Sequence, residues 1–278
     1  MKKLLLLLII PFLSFGQTPI TQQNFQQAVD DWLEAPVSAE VTYGHISDWD
    51  VSNVNDMYGA FYGAINFNQD ISDWDVSNVT NMGRMFCEAS VFNQDIDSWD
   101  VSNVTTMRYM FSDANSFNQN IGNWDVSSVS DMSSMFSDAN YFNQDIGDWD
   151  VSNVTDMSWM LDGINLSIEN YDALLCGWSQ LELQENVNFN GGNSNYCTGD
   201  EARQYIIDIF NWVIIDEGLY DEGCNQTESC NNNTFIQEID NNQSLLKTID
   251  ILGREITNKG FQLHIYDDGT VEKKYILY

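Results

Sequence analysis

The chain has 278 residues, enough to bury a sizeable core in one or two domains. Its 42 acidic residues face 10 basic ones, a formal net charge of −32 at pH 7. Such a body repels phosphate backbones, so nucleic acid is a poor partner, and a cationic surface or a divalent metal ion suits it better. Between Leu4 and Leu246 the only basic residues are Arg84, Arg108 and Arg203.

Lys2 and Lys3 precede a short apolar run over residues 4–13, and Ser14, Phe15 and Gly16 stand before the polar Gln17. This order of basic, apolar and small residues predicts a secretory signal peptide over residues 1–16. The run is too short to cross a bilayer as a helix, and no second long apolar run follows. Residues 17–45 read as an N-terminal helical cap. Thr21 is a capping candidate, Phe25, Ala28, Val29, Trp32 and Leu33 form an apolar stripe, and Pro36 stops the helix.

Residues 46–165 then repeat themselves every 25 residues. Trp49, Trp74, Trp99, Trp124 and Trp149 are each followed by Asp-Val-Ser, and Met57, Met82, Met107, Met132 and Met157 keep the same register. A fixed period of this length means one supersecondary unit stacked on copies of itself. Phe67 and Ile71 share one face of an extended segment. From Val79 the apolar residues Met82, Met85, Phe86 and Ala89 take helical spacing, with Ser77 and Asn78 as cap candidates. The expected fold is an α/β repeat. It is a leucine-rich-repeat-like solenoid, with a short strand plus a short helical or 3₁₀ segment in each 25-residue coil. A helical cap precedes it and a small β-rich tail ends the chain.

Residues 166–224 read as degenerate closing coils. Tyr171, Leu174, Leu175 and Trp178 mark a helix, Val187, Asn188 and Phe189 a strand, Asp200 the cap of a second helix, and Val213–Ile215 a last strand. Residues 225–244 are polar and Asn-rich, a linker by composition. Residues 245–278 carry two strands around an Asp-Gly turn.

The Trp ladder has two readings, a buried core or a row of exposed rings for stacking sugars; its place between Ile71 and Val76 and their counterparts Ile96, Ile121 and Ile146 favours the core. The carboxylates form two rows. In one, Asp50, Asp75, Asp100, Asp125 and Asp150 sit where a side-chain oxygen can accept an N–H two residues on and fix a turn. The other holds Asp70, Asp95, Asn120 and Asp145, joined by Asp73 and Asp148. With the amide row Asn68, Asn93, Asn118 and Asn143 it forms the candidate acidic binding face. Oxygen ligands from Asp70, Asp73 and Asp75 could share a calcium ion, although no glycine-containing calcium loop accompanies them. Gln69, Gln94, Gln119 and Gln144 would alternate inward, and a bulge is one way to satisfy them. Five cysteines in an exported chain predict up to two disulfides. Cys197 with Cys224 is the preferred bridge, Cys224 with Cys230 its rival, and Cys87 is expected exposed and unpaired. Neither His45 nor His264 has a Ser or Cys sequence neighbour of triad character and no zinc spacing appears, so no catalytic residues are assigned and no enzyme is expected.

The run Trp-Asp-Val-Ser-Asn-Val-Thr-x-Met-x-x-Met-Phe resembles the repeat of BspA-type leucine-rich-repeat bacterial surface proteins, over residues 46–164. The resemblance implies a surface location, with adhesion in some members, more than a reaction. At the other end, Ile249, Asp250, Leu252, Gly253 and Arg254, then Asp268, Gly269, Lys273 and Lys274, are similar to the C-terminal sorting domain of type IX secretion cargo. That implies passage across an outer membrane with the type IX machinery as partner, and removal of residues 245–278. The function expected is binding or adhesion to a protein or surface through the acidic strand face. The alternatives are a carbohydrate-binding module using exposed aromatics and a purely structural surface component.

Overall fold

The computed structural model describes residues 16–220, Cys224, Cys230, 245–249, 260–266 and 271–276. The signal peptide, apart from Gly16, and nearly all of the linker lie outside them.

Helix α1 (Phe25–Glu34) buries Phe25, Ala28, Val29 and Trp32 and leaves Leu33 exposed. Thr21 is not its cap. Asn24 holds that position without a side-chain cap bond, and its Oδ1 instead accepts from the Thr21 N–H (2.7 Å) and hydroxyl (3.0 Å). Pro36 ends α1 but also opens a second helix, α2 (Pro36–Tyr43), because its fixed φ and missing N–H suit the first turn. The cap closes the first coil through Gln22. Its Oε1 accepts from the N–H groups of Asn55 (2.8 Å) and Asp56 (2.9 Å), and its Nε2 donates to the Asp56 carbonyl (3.0 Å).

The 25-residue units stack in parallel. Single bridges join Asp56 to Asn81, Asn81 to Thr106, Thr106 to Asp131 and Asp131 to Asp156. Around each bridge the backbone N–H groups at every second residue donate to the next coil. Met82, Arg84, Phe86 and Glu88, for example, bond the carbonyls of Thr106, Arg108, Met110 and Ser112 at 2.7–3.1 Å. The intervening N–H groups of Met85, Cys87 and Ala89 bond back three residues, to Met82, Arg84 and Phe86. The segment expected as helical is therefore a chain of linked turns, with Arg84 and Glu88 at φ 57° and 61°. A helix would need the N–H groups that here leave for the neighbouring coil. The strand expected at Phe67–Ile71 is absent for a related reason: the parallel bridges sit at Asp56–Asp156 instead, and the Phe67 region is joined between coils by side-chain amides.

The core is a set of stacked columns. Phe61, Phe86, Phe111 and Phe136 stack at 5.4–5.7 Å between ring centroids, and Phe67, Phe92, Phe117 and Phe142 form a second column at 6.0–6.2 Å. The ring faces meet near-parallel because each coil repeats the one before it.

At the far end α3 (Ile168–Trp178) lies on the last full coil. The next strand, β1 (Asn188–Asn190), continues the stack: Phe189 bridges Met157, and the Leu161 N–H donates to Asn190 (3.1 Å). β2 (Asn195–Tyr196) and α4 (Asp200–Phe210) follow. β3 (Val213–Ile215) then pairs parallel with β1, and β4 (Gly218–Leu219) pairs parallel with β2. Asp200 is the first helical residue of α4, and Gly199 holds the cap position, without a side-chain cap bond. The chain before α4 is clamped by Asp172, whose carboxylate accepts from the N–H groups of Cys197, Thr198 and Gly199 and from the Thr198 hydroxyl at 2.8–2.9 Å. Arg203 pairs with Asp216 at 2.8 Å, and the Tyr171 hydroxyl donates to the same carboxylate.

Cys197 bonds Cys224, and Cys176 bonds Cys230. The Cys224–Cys230 pairing is thus not formed, and the start of the linker is tied to α3. Cys87 is unpaired but buried, 5 % exposed, beneath neighbouring coils. Burial pushes its thiol up to about 11, helped by the negative charge of Glu88. The tail is an antiparallel sheet of three strands, β5 (Leu245–Ile249), β6 (Gly260–Tyr266) and β7 (Val271–Ile276), one strand more than the hairpin expected.

Candidate binding surface

The tryptophans of the repeat are core. Trp49, Trp74, Trp99, Trp124 and Trp149 are 1–4 % exposed. Each donates its indole N–H to a buried carbonyl: Trp49 to Gly44 (3.0 Å), Trp74 to Ile46 (2.9 Å), Trp99 to Ile71 (3.2 Å), Trp124 to Ile96 (3.1 Å) and Trp149 to Ile121 (3.0 Å). Sequence reasoning missed two further rungs, because their spacing leaves the 25-residue period: Trp178 donates to Ile146 (3.3 Å) and Trp212 to Gln184 (2.7 Å).

The acidic face is turned largely to internal bonding. Asn68, Asn93 and Asn118 each accept, through Oδ1, the N–H of the asparagine one coil on, at 2.9 Å, and Asn143 accepts from Ser167 (2.8 Å). The glutamines are not inward. Gln94, Gln119 and Gln144 donate to the carbonyls of Asn68, Asn93 and Asn118 at 3.0–3.1 Å. Asp70, Asp95, Asn120 and Asp145 accept the N–H two residues on, at 2.9–3.1 Å. Asp73 and Asp148 are exposed. The row at Asp50, Asp75, Asp100, Asp125 and Asp150 does the same toward Ser52, Ser77, Ser102, Ser127 and Ser152. The serine hydroxyl, then the serine N–H, holds the carboxyls of Asp50, Asp70, Asp75 and Asp125 below the ordinary carboxylate range.

Asp70, Asp73 and Asp75 do not converge on a calcium site. Among the described residues no three or more His, Cys, Asp or Glu side chains are placed to hold a metal ion. Two of the three carboxylates instead bond the serines two residues ahead of them. Of the sorting residues, Ile249 lies in β5 and Lys273 and Lys274 in β7, and the remainder fall outside the described residues.

A different surface carries what the coils do not share. Aligning the coils on Trp, the residue nine places on is Tyr58, Gly83, Arg108, Ser133 or Ser158, and the next is Gly59, Arg84, Tyr109, Ser134 or Trp159. These positions lie on the turn segment beside the parallel bridges. The second of them has φ between 54° and 65° in every coil. Glycine suits that conformation, whereas a side chain such as Arg, Tyr or Trp there costs about 1 kcal/mol or more. Trp159 meets that cost while 60 % exposed, so burial does not offset it. Arg84 and Arg108 both place their guanidinium groups over the Tyr109 ring, at 5.0 and 5.7 Å from its centroid. Neither forms an ion pair among the described residues. Arg84 Nε is moreover buried without a hydrogen-bond partner, a deficit of about 1–3 kcal/mol. Tyr58 and Tyr62 are exposed beside them, and the Tyr62 hydroxyl donates to Glu88 (2.9 Å). The signal for this strip was present in the sequence as disagreement between coils at fixed register.

The repeat region matches the family described as "Mycoplasma protein of unknown function, DUF285", over residues 35–128 and again over 95–178. Together these stretches cover just over half of the chain, and the chain belongs to this family. No curated protein and no solved structure matches it.

Proposed function

We propose that this member of the DUF285 family is an exported, non-catalytic surface protein that acts by binding, its coils forming a solenoid of the leucine-rich-repeat kind. The observation that carries the reading is the division of labour between positions. Residues that repeat are used for packing and turn closure, whereas the turn positions that vary hold Tyr58, Arg84, Arg108, Tyr109 and Trp159 in some coils and glycine or serine in others. Such a surface can recognise a ligand without altering the stack beneath it. The acidic rows supply a long-range field favouring cationic surfaces, as their charge suggests. The basic-apolar start of the chain supports export, and the likeness of residues 245–278 to a sorting domain supports delivery to the outer face of an outer membrane by type IX machinery.

The test is antibody labelling of intact producing cells with serum raised against residues 46–165, with and without residues 245–278. It is paired with retention of those cells on coatings of basic protein, mucin, polygalacturonate and albumin. Surface label that depends on the tail, and retention above albumin on one coating that disappears when the chain is deleted, are expected. Label confined to the cell interior would overturn the location. Retention equal to albumin on every coating would overturn the binding role.

A further inference from the structure

We propose that the strip bearing Tyr58, Tyr62, Arg84, Arg108, Tyr109 and Trp159 is a platform for a glycan carrying isolated carboxylates, that is, a uronate-containing polysaccharide. The inference rests on the binding role proposed above and gives it a surface and a ligand class.

Three observations lead there. First, the strip holds the body's two arginines that are free of ion pairs among the described residues; Arg203, the third, is engaged by Asp216. Arginine recognises a carboxylate through paired N–H donors. Arg84 Nε, without a partner here, is a donor that a side-on carboxylate satisfies once the side chain swings outward. Second, the large side chains of the strip are rings, and the two leading variable positions carry no Leu, Ile, Val or Met in any coil. Protein interfaces are also rich in Tyr, Trp and Arg, but here the rings are set apart along the stack by Gly83, Ser133, Ser134 and Ser158, an array that suits an extended polymer offering one apolar face per sugar ring. Exposed Tyr58 and Trp159 suit such faces, and Glu88, exposed and bonded to the Tyr62 hydroxyl, is an acceptor for hydroxyls. Third, Trp159 and Tyr109 occupy the left-handed backbone position at which a glycine stands in the first coil, so their presence serves something other than folding.

Charge narrows the ligand further. A chain of net charge −32 repels a polyanion in proportion to its charge density, so a glycan with at most one carboxylate per sugar reaches the two arginines more readily than one with several sulfates per sugar. The repulsion acts at range and is screened by salt, since the Debye length falls from about 30 Å at 0.01 M to about 8 Å at 0.15 M. Binding should therefore strengthen over that range, the reverse of ordinary ion-pair binding.

The full mature chain contains its own reporter. Eight of its nine tryptophans are buried, so acrylamide quenches Trp159 almost alone. Polygalacturonate, its methyl ester and dextran sulfate are the probes. Polygalacturonate is expected to shield Trp159. Arg84→Ala with Arg108→Ala should weaken its binding at least tenfold, and the methyl ester should bind at least tenfold more weakly than the acid. Affinity electrophoresis reads Trp159→Phe independently of fluorescence, with a several-fold loss expected. No shielding by polygalacturonate at millimolar uronate, equal binding of the methyl ester, or equal binding of dextran sulfate would each overturn the proposal. Cells that still adhere to polygalacturonate after the double arginine substitution would sink the strip while leaving the binding role standing.

Discussion

Replacing Trp124 by Phe tests whether the indole column holds the stack together. Trp124 lies in a central coil, 3 % exposed, with its N–H on the Ile96 carbonyl at 3.1 Å. The substitution removes that bond, worth about 1 kcal/mol net. The carbonyl is not orphaned, because the Trp99 N–H also reaches it at 3.2 Å, so the larger penalty for an unsatisfied acceptor does not apply. The lost ring area, roughly 40 Å² at about 25 cal/mol per Å², adds about 1 kcal/mol, and the small void left behind adds about half as much again. The expected total is about 2–3 kcal/mol. Trp159→Phe is the matched control: the same chemical change at an exposed ring should stay within about 0.5 kcal/mol. Urea unfolding followed by far-ultraviolet circular dichroism measures both, with the slope of the transition checked for constancy. Equal costs for the two variants would refute the ladder as a source of stability.

Other outcomes follow from the same geometry. Cys87 should resist iodoacetamide in the native protein at pH 8, because a thiol at about 11 is roughly one part in a thousand thiolate there and is buried as well; alkylation at the rate of an unfolded peptide would contradict this. Asp75 and Asp125 have carboxyls below their ordinary value, so their stabilisation is complete above the unfolded value of 3.8 and is lost as pH falls through the lower folded values. Wild type should therefore lose its advantage over Asp75→Asn with Asp125→Asn in urea midpoint below about pH 4, and an advantage that persists at pH 2 would reverse the assignment. Gln22→Ala should uncover the first coil's N–H groups at Asn55 and Asp56 and promote edge-to-edge association, read by sedimentation velocity; a variant that stays monodisperse would show that the edge is protected otherwise.

The repeat was legible because its core positions are chemically unambiguous: Trp, Val, Met and Phe recur at one register, and all of them are buried. The turn role of Asp50 and its equivalents was legible for the same reason, since Asp two residues before Ser has few other local partners. What failed was the translation of spacing into conformation. Val79, Met82, Met85 and Phe86 have helical intervals, yet linked turns with left-handed residues can point the same side chains inward while sending alternate N–H groups to the next coil. The sign of this was Gly59, Gly63 and Gly163, which stand at the left-handed positions where other coils carry Arg84, Glu88 and Asp138. The second disulfide was hidden because Cys176 and Cys230 are 54 residues apart and only the docking of α3 brings them together.

The same comparison explains why the acidic face is a weaker candidate for specific contact than its charge implies. A side chain that closes its own turn or bonds the next coil, as Asp70 and Asn93 do, is constrained by the stack, and changing it for a ligand costs stability. A side chain at the position of Arg108 is under no such constraint, since Tyr58, Gly83 and Ser158 occupy it elsewhere while the coil-to-coil bonds persist. Stability and recognition therefore draw on different columns of one repeat. Selection for a ligand can act on the variable column with little effect on the ladder, and the residues kept there against backbone preference, Tyr109 and Trp159, are the ones whose presence folding alone leaves unexplained.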